Sequence, residues 1–438
     1  MLNVRRQMLG AALAMAVLAA GLAGFGAAKA QAESAEAGSA YRIVAIGDSL
    51  AVGYQPGMSE SSVPYGFADR LYEQALFRGD AALANYGIIG LRSEGLLRLL
   101  QGASAGKSLK AAQLDDFSKY PERERLEVLA DGVGARTAEL KASLADADLV
   151  VVTVGANDFS DYLQSLLTLP KKEAVSSLEG NFSILLNNYA ENAEQVLRLT
   201  AKLAPRARIL FSDQYLPLPQ LFAPGLYDVL YEKAVGPITA AVDSLAAKLR
   251  EEGIRADAVH VADKFKGKEG SMTHMAIQLG GVSQPDNHPN DEGYEAIAEA
   301  FAQAVWQEYR KPGPRPAGVP ISVIVAGKES ETDYHPVLKP PGITFVALRD
   351  ISDAMGAELQ WDDGTQTATF RLKGRVVSVT IGAETMTVDG TERSIPAPAY
   401  LQPVGKEKKT YVPLAVIADG LGFRVKYSKP LQTAFINA

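Results

Sequence analysis

The chain has 438 residues, 47% hydrophobic and 22% charged, with a formal net charge of −7. That length suggests two or three domains with ordinary globular cores. The acidic balance gives no basic footprint for nucleic acid and no simple electrostatic docking on anionic lipid. The absence of cysteine excludes disulfides, a thiolate nucleophile and cysteine metal sites.

Residues 1–32 read as a leader rather than as fold. Arg5 and Arg6 precede an uncharged Ala/Leu/Val/Gly run over residues 8–28, and Ala28-Lys29-Ala30 and Ala30-Gln31-Ala32 each offer a small-residue cleavage site. This is the pattern of a secretory signal peptide, with an uncleaved N-terminal anchor as the alternative. It predicts a secreted or cell-envelope protein.

From residue 41 to 309, short apolar runs alternate with longer amphipathic ones. Residues 43–46 read as a buried strand that breaks at Gly47. Helix is expected over 64–76, a weak strand over 81–89, helix over 137–145 and a strong strand over 148–154. Then follow helix over 192–202, strand over 207–211, helix over 231–251, strand over 258–262 and helix over 291–309. The polar stretch 101–136 has no clean period and reads as a lid or a set of small helices. This alternation predicts an α/β fold with a mainly parallel sheet over residues 33–309.

Residues 310–320 hold Pro312, Pro314, Pro316 and Pro320, which predicts a semi-rigid linker. Beyond it, over residues 321–438, the run from Thr344 to Gly356 is echoed from Thr410 to Gly422. Each copy reads as an extended entry and a helix capped by Gly356 or Gly422, followed by a strand. Alternating stretches at 367–372, 376–381 and 385–388 complete a small α+β domain with an internal repeat. The two domains are expected to fold independently.

Four positions in the first domain point to chemistry. Ser49 follows Gly47-Asp48 at the end of a strand, where it reads equally as an exposed nucleophile or as a helix cap. Gly90 closes the run Asn85-Tyr86-Gly87-Ile88-Ile89-Gly90. Asn157 follows the strongest strand in Gly155-Ala156-Asn157-Asp158, as a turn residue or a donor. His288, in Asp286-Asn287-His288-Pro289-Asn290, precedes the last helix, as a surface residue or a general base. The N–H groups of Ser49 and Gly90 and the Asn157 carboxamide are the donor types an oxyanion needs. Among the other histidines, His260 is expected to be structural and His335 to lie on the surface, while His274 reads as a residue of an irregular stretch, with pocket lining as the alternative. No histidine pair has a metal-ligand spacing on one helix.

Together these blocks resemble the GDSL esterase/lipase family, also called SGNH hydrolases, over residues 41–309. Gly47-Asp48-Ser49-Leu50 is similar to its nucleophile block, Asn85 to Gly90 to its glycine block, Gly155 to Asp158 to its asparagine block and His288-Pro289-Asn290 to its histidine block. The resemblance implies a flavodoxin-like three-layer α/β/α sandwich. It implies catalysis by Ser49 and His288, an oxyanion hole of Ser49, Gly90 and Asn157, and no cofactor or metal. The family's aspartate stands three residues before the histidine, where this chain has Pro285. Asp286 is therefore the expected acid, with a backbone carbonyl or Asp291 as alternatives. The expected function is exported hydrolysis of an acyl ester. Its rivals are deacetylation of polysaccharide or peptidoglycan, and non-catalytic envelope binding through a degenerate site. Residues 321–438 resemble the stalk-like domain named after the N-terminal domain of copper amine oxidases. That resemblance implies an accessory role, with cell-envelope contact, and no copper site.

Overall fold

The computed structural model describes residues 40–438, apart from Glu60, residues 276–285 and Glu331. The expected leader and Pro285 lie outside the described residues. Five parallel strands build the first sheet: β1 (Tyr41–Gly47), β2 (Ala81–Gly87), β3 (Leu149–Thr153), β4 (Arg208–Ser212) and β5 (Ala256–Val259), in the order β2-β1-β3-β4-β5. Because side chains alternate across a strand, each strand feeds two cores. Val44, Ile46, Val150, Val152, Ile209 and Phe211 face one helical layer, and Ile43, Ala45, Leu149, Val151 and Leu210 face the other.

Helices cover both faces of the sheet. The first core takes α3 (Ser93–Ala105), α4 (Thr137–Asp146), α6 (Lys171–Leu203) and α7 (Gly236–Glu251). The second takes α2 (Phe67–Leu76) and α8 (Asp291–Trp306). Two shorter helices, α1 (Ser49–Val52) and α5 (Ala156–Leu167), begin directly after β1 and β3. This is the three-layer α/β/α arrangement expected.

Several elements differ from expectation. Helix α2 starts at Phe67 rather than residue 64, because the Asp69 carboxylate accepts the Gly66 N–H at 2.8 Å and fixes the entry there. The helix expected over 192–202 is the last third of α6, which runs 33 residues. In its first half the buried stripe Ala174, Leu178 and Phe182 recurs every fourth residue, but polar residues and Gly180 surround it. The stretch expected as one helix over 231–251 opens with a π-helical turn, Tyr231–Val235. Pro237 explains that turn, since it has no N–H to donate back into the preceding one. Residues 101–136 close α3 and then form two small helices, Ala111–Leu114 and Arg123–Gly134.

The C-terminal part is built of three small sheets. One has the order β10 (Glu358–Asp362), β11 (Thr367–Leu372), β12 (Arg375–Thr380), β13 (Thr385–Val388), β14 (Thr391–Ser394). The second joins β15 (Tyr400–Val404), β16 (Glu407–Pro413), β9 (Ile343–Ala347) and β8 (Val337–Lys339). The third joins β17 (Arg424–Ser428), β18 (Thr433–Asn437), β6 (Ser322–Val325) and β7 (Lys328–Glu329). The two similar sequence stretches each run from a strand into a helix, α9 (Leu348–Met355) or α10 (Leu414–Gly420), and β9 pairs with β16. The likeness stops there, because the strands that follow, β10 and β17, enter different sheets. Gly356 caps α9 in the left-handed conformation, whereas α10 is capped by Leu421, with Gly422 one residue beyond.

The two parts share a core. Ile324 and Phe435 of the C-terminal part belong to the buried cluster that holds Leu76 and Phe77. Phe77 and Phe435 meet edge to face at 5.0 Å. Asn437 Nδ2 donates to the Leu76 and Gly79 carbonyls, both at 2.9 Å, and so satisfies acceptors left over at the end of α2. Residues 310–320 are tied down as well: the Gly313 N–H donates to Glu329, and the Arg315 guanidinium to the Leu431 carbonyl. Among the described residues no helix is long and apolar enough to cross a membrane.

Candidate active site

The parallel register brings the ends of β1, β2 and β3 level. Gly47 is paired with Gly87 on one side and with Thr153 on the other. The loops carrying Ser49, Gly90 and Asn157 therefore leave the sheet side by side, at its carboxyl edge. Ligand sites of open α/β sheets form at this edge, where strand order reverses. Gly47 has no substitute here. Its φ is +140°, and a Cβ would lie 1.8 Å from the Thr153 carbonyl oxygen. This close crossing turns the chain from strand to helix within one residue. Asp48 then caps α1 by accepting the Leu50 N–H at 3.0 Å, and Ser49 becomes the first residue of the helix.

Asp48 is fully buried beneath Ser49. Burial pushes its carboxyl up to about 7, against the opposing Leu50 N–H. Ser49 is 6% exposed, and its Oγ stands 2.8 Å from His288 Nε2. On the other side of the ring, Nδ1 lies 2.7 Å from Asp286 Oδ1, which also accepts the His288 backbone N–H at 2.8 Å. Partial burial pushes the Asp286 carboxyl up. The bond to the His288 ring, that ring's charge and the backbone N–H outweigh this and hold it below the ordinary carboxylate range. Asp291 is elsewhere: it starts α8 and accepts from Arg70 and Gln55.

The histidine loop is clamped from beneath. The His274 N–H donates to the His288 carbonyl at 3.0 Å, and the His274 carbonyl accepts the Asp286 N–H at 3.3 Å. His274 thus contributes through its backbone. Tyr54 packs edge-on against the His288 ring with centroids 4.7 Å apart. His260 follows β5 on the surface and pairs with Asp243 at 3.1 Å, and His335 is exposed.

Gly90 and Asn157 face each other through a network. Asn157 Nδ2 donates one hydrogen to the Leu91 carbonyl at 3.1 Å, which leaves its second hydrogen for another acceptor. Asp158 accepts the Ser93 N–H at 3.0 Å, which ties the start of α3 to the start of α5. The Tyr120 hydroxyl lies 3.1 Å from Asn157 Oδ1 and 3.3 Å from the Gly90 carbonyl. Burial, with the charges of Asp115 and Asp161, pushes its phenol up to about 12, so it stays a donor. Gly90 has φ +81° with the Tyr120 ring directly over it, which leaves no room for a Cβ. The Ser49 N–H lies in the first turn of α1, where N–H groups have no acceptor within the helix.

A cavity of about 650 Å³ opens beside Ser49 and His288. One wall is α5, one is the loop after β4 through Leu216 and Leu218, and one runs from Leu230, just before the π-helical turn, to Ile238 in α7. Sequence reasoning brought Ser49, Gly90, Asn157, His288 and Asp286 to this edge but missed Tyr54, Ser93, Tyr120 and the apolar walls. Tyr120 was legible only as part of the polar stretch 101–136. Leu163 and Leu167 stand four residues apart, a helical spacing, which was the available signal for the α5 wall.

A serine, an imidazole and a carboxylate thus stand in hydrogen-bonded series at the carboxyl edge of a doubly wound sheet. The chain belongs to the GDSL-like Lipase/Acylhydrolase family, whose model matches residues 43–301, more than half of its length. Residues 324–436 match the Copper amine oxidase N-terminal domain. A curated relative, the uncharacterized protein YpmR of Bacillus subtilis (strain 168), is 24% identical over 209 residues, covering 46% of this chain and 69% of its own. Similar solved structures include the lipase Lip_vut3 from a goat rumen metagenome, at 17% identity over 60% of this chain and 97% of that one, with TM-score 0.37. Phospholipase A1 from Streptomyces albidoflavus NA297 is 15% identical over 60% of this chain and 99% of its own, with TM-score 0.38.

Proposed function

We propose that the protein is an exported serine esterase that hydrolyses carboxylic acyl esters through Ser49, His288 and Asp286. The observation that carries this reading is the series Ser49 Oγ, His288 Nε2, His288 Nδ1, Asp286 Oδ1, with links of 2.8 and 2.7 Å. Ser49 Oγ attacks the ester carbonyl carbon while His288 Nε2 takes its proton. Asp286 holds the proton on Nδ1 and stabilises the imidazolium. The carbonyl oxygen becomes an oxyanion, met by the Ser49 and Gly90 N–H groups and by Asn157 Nδ2. The intermediate collapses, the C–O bond to the alcohol breaks, and His288 returns the proton to the departing oxygen. Water, deprotonated by the same imidazole, then releases the acid and restores Ser49.

Membership of an acylhydrolase family supports the ester class, and the intact hydrogen-bond series weighs against a degenerate, purely binding site. Export rests on residues 1–32, and an accessory role at the cell envelope rests on residues 321–438; both belong to the same proposal. The test is an organophosphate label located by peptide mapping, beside the turnover of Ser49→Ala. The label is expected on Ser49, with turnover falling by on the order of 10⁴-fold or more. Label on another residue, with Ser49→Ala still active, overturns the reading.

A further inference from the structure

The cavity at Ser49 has a direction. Helix α5 begins beside the oxyanion donor Asn157 and runs along the cavity wall. Leu163 and Leu167 line the cavity from this helix. At 1.5 Å rise per residue they lie about 9 and about 15 Å further along its axis than Asn157. The same cavity is lined by Leu216 and Leu218 from the loop after β4, and by Ala234 and Ile238 from either side of the start of α7. Ala234 belongs to the π-helical turn, an irregularity that recurs at functional sites. Polar groups share the cavity, among them Gln214, Gln164 and the Lys119–Asp161 ion pair at 2.8 Å.

An acetyl group leaves such a wall unused. An extended hydrocarbon chain with bonds of roughly 1.5 Å advances about 1.3 Å per carbon, so about seven carbons reach Leu163 and about twelve reach Leu167. Cavities of this volume and lining suit a ligand with a large apolar part and a few fixed polar contacts.

We infer that this cavity is an acyl-chain site and that the enzyme prefers esters of medium to long fatty acids, about eight to twelve carbons, over acetyl esters. The inference rests on Ser49 as nucleophile, because the chain enters the cavity as the acyl part attached there. Each methylene buried contributes about 0.8 kcal/mol, roughly fourfold in kcat/KM while the chain lengthens within the cavity. Leu167 is 44% exposed at the far end of the wall, so a charge there is tolerated by the fold but not by a chain reaching it.

The test is kcat/KM for p-nitrophenyl acetate, butyrate, octanoate and dodecanoate, in the native protein and in Leu167→Glu. Native kcat/KM should rise at least about 50-fold from acetate to octanoate. Leu167→Glu should lower the dodecanoate-to-acetate ratio by about tenfold or more. A native optimum at acetate, or a variant that loses all four esters equally, overturns the inference while leaving Ser49 as nucleophile. A second measurement needs no turnover: calorimetric binding of decanoate and butyrate to Ser49→Ala. Tighter decanoate binding supports the acyl site even if no ester is cleaved, in which case the catalytic reading alone fails. Equal binding of the two acids, or none, overturns the acyl site.

Discussion

One oxygen of Asp286 serves both Nδ1 of the His288 ring and the backbone N–H of the same residue. Standing two residues before the histidine rather than three, the carboxylate reaches the ring by folding back over its own loop. Asp286→Asn removes the charge that favours the imidazolium and permits the wrong tautomer, so turnover should fall by about 10⁴-fold. Asp291→Asn should keep nearly native turnover, since its carboxylate pairs with Arg70 instead. A pH–rate profile of the two variants beside the native protein checks this. The folded Asp286 carboxyl is held below its ordinary value, so its contribution to stability is present above the ordinary carboxyl range and is lost as pH falls through the folded value. Tyr120 acts at one remove. Its hydroxyl fixes the Asn157 carboxamide with the oxygen towards Tyr120 and the nitrogen towards Leu91. Tyr120→Phe should lower kcat about tenfold with KM little changed, a smaller loss than the roughly 10² to 10³ expected of deleting an oxyanion donor outright. An unaltered kcat would make Tyr120 only a cover over Gly90.

At the scale of elements, legibility followed how much of the signal was local. The buried strands β1, β3 and β4 are short β-branched or aliphatic runs and could be read directly. Ser49, Gly90, Asn157 and His288 were legible because each sits within a few residues of a strand end or a helix entrance and within a recognisable motif block. The walls of the cavity were not, because Leu163, Leu216 and Ile238 converge only through the order of the strands. The carboxylate was legible only as one of three choices, since nothing local states which way a loop oxygen turns. Helix α6 was two-thirds hidden for a different reason. Its buried positions keep helical spacing, but Gly180 and the asparagines between them have low helix propensity, and tertiary packing decides. Gly180 makes a direct test. It is exposed in mid-helix, and a Cβ there would meet nothing within 4 Å. Gly180→Ala should stabilise the protein by roughly 0.5–1 kcal/mol, read as a higher denaturant midpoint at unchanged slope. A lower midpoint would mean that α6 is bent or broken at this point.

The two parts are held together across the stretch that reads in sequence as a semi-rigid linker. The third C-terminal sheet closes over the end of α2. Phe435 sits on Phe77, Asn437 occupies the carbonyls left at the helix end, and Arg424 reaches the buried Asp80. A chain ending at Tyr309 would open part of the second core, so it should melt well below the full chain even with the catalytic residues intact. The proline-rich stretch is legible as a boundary, but side-chain complementarity across it is not a local property of sequence. The interface also carries a titrating group. Glu73 on α2 is 5% exposed and accepts from Tyr65 and from Ser428 of β17. Burial pushes its carboxyl up to about 7, against those two bonds and the Arg70 charge. In the unfolded chain the group titrates near 4.5. Between these values the folded state holds a proton that the unfolded state has released. Its contribution is therefore fully present below about 4.5 and is lost as pH rises through about 7, on the order of 3 kcal/mol in all. Glu73→Gln keeps the shape and the acceptor oxygen but has no charge to bury. It should change the melting temperature little at pH 5 and raise it relative to the native protein at pH 8. Equal shifts at both pH values would place the proton elsewhere and remove Glu73 as the source of pH dependence at this interface.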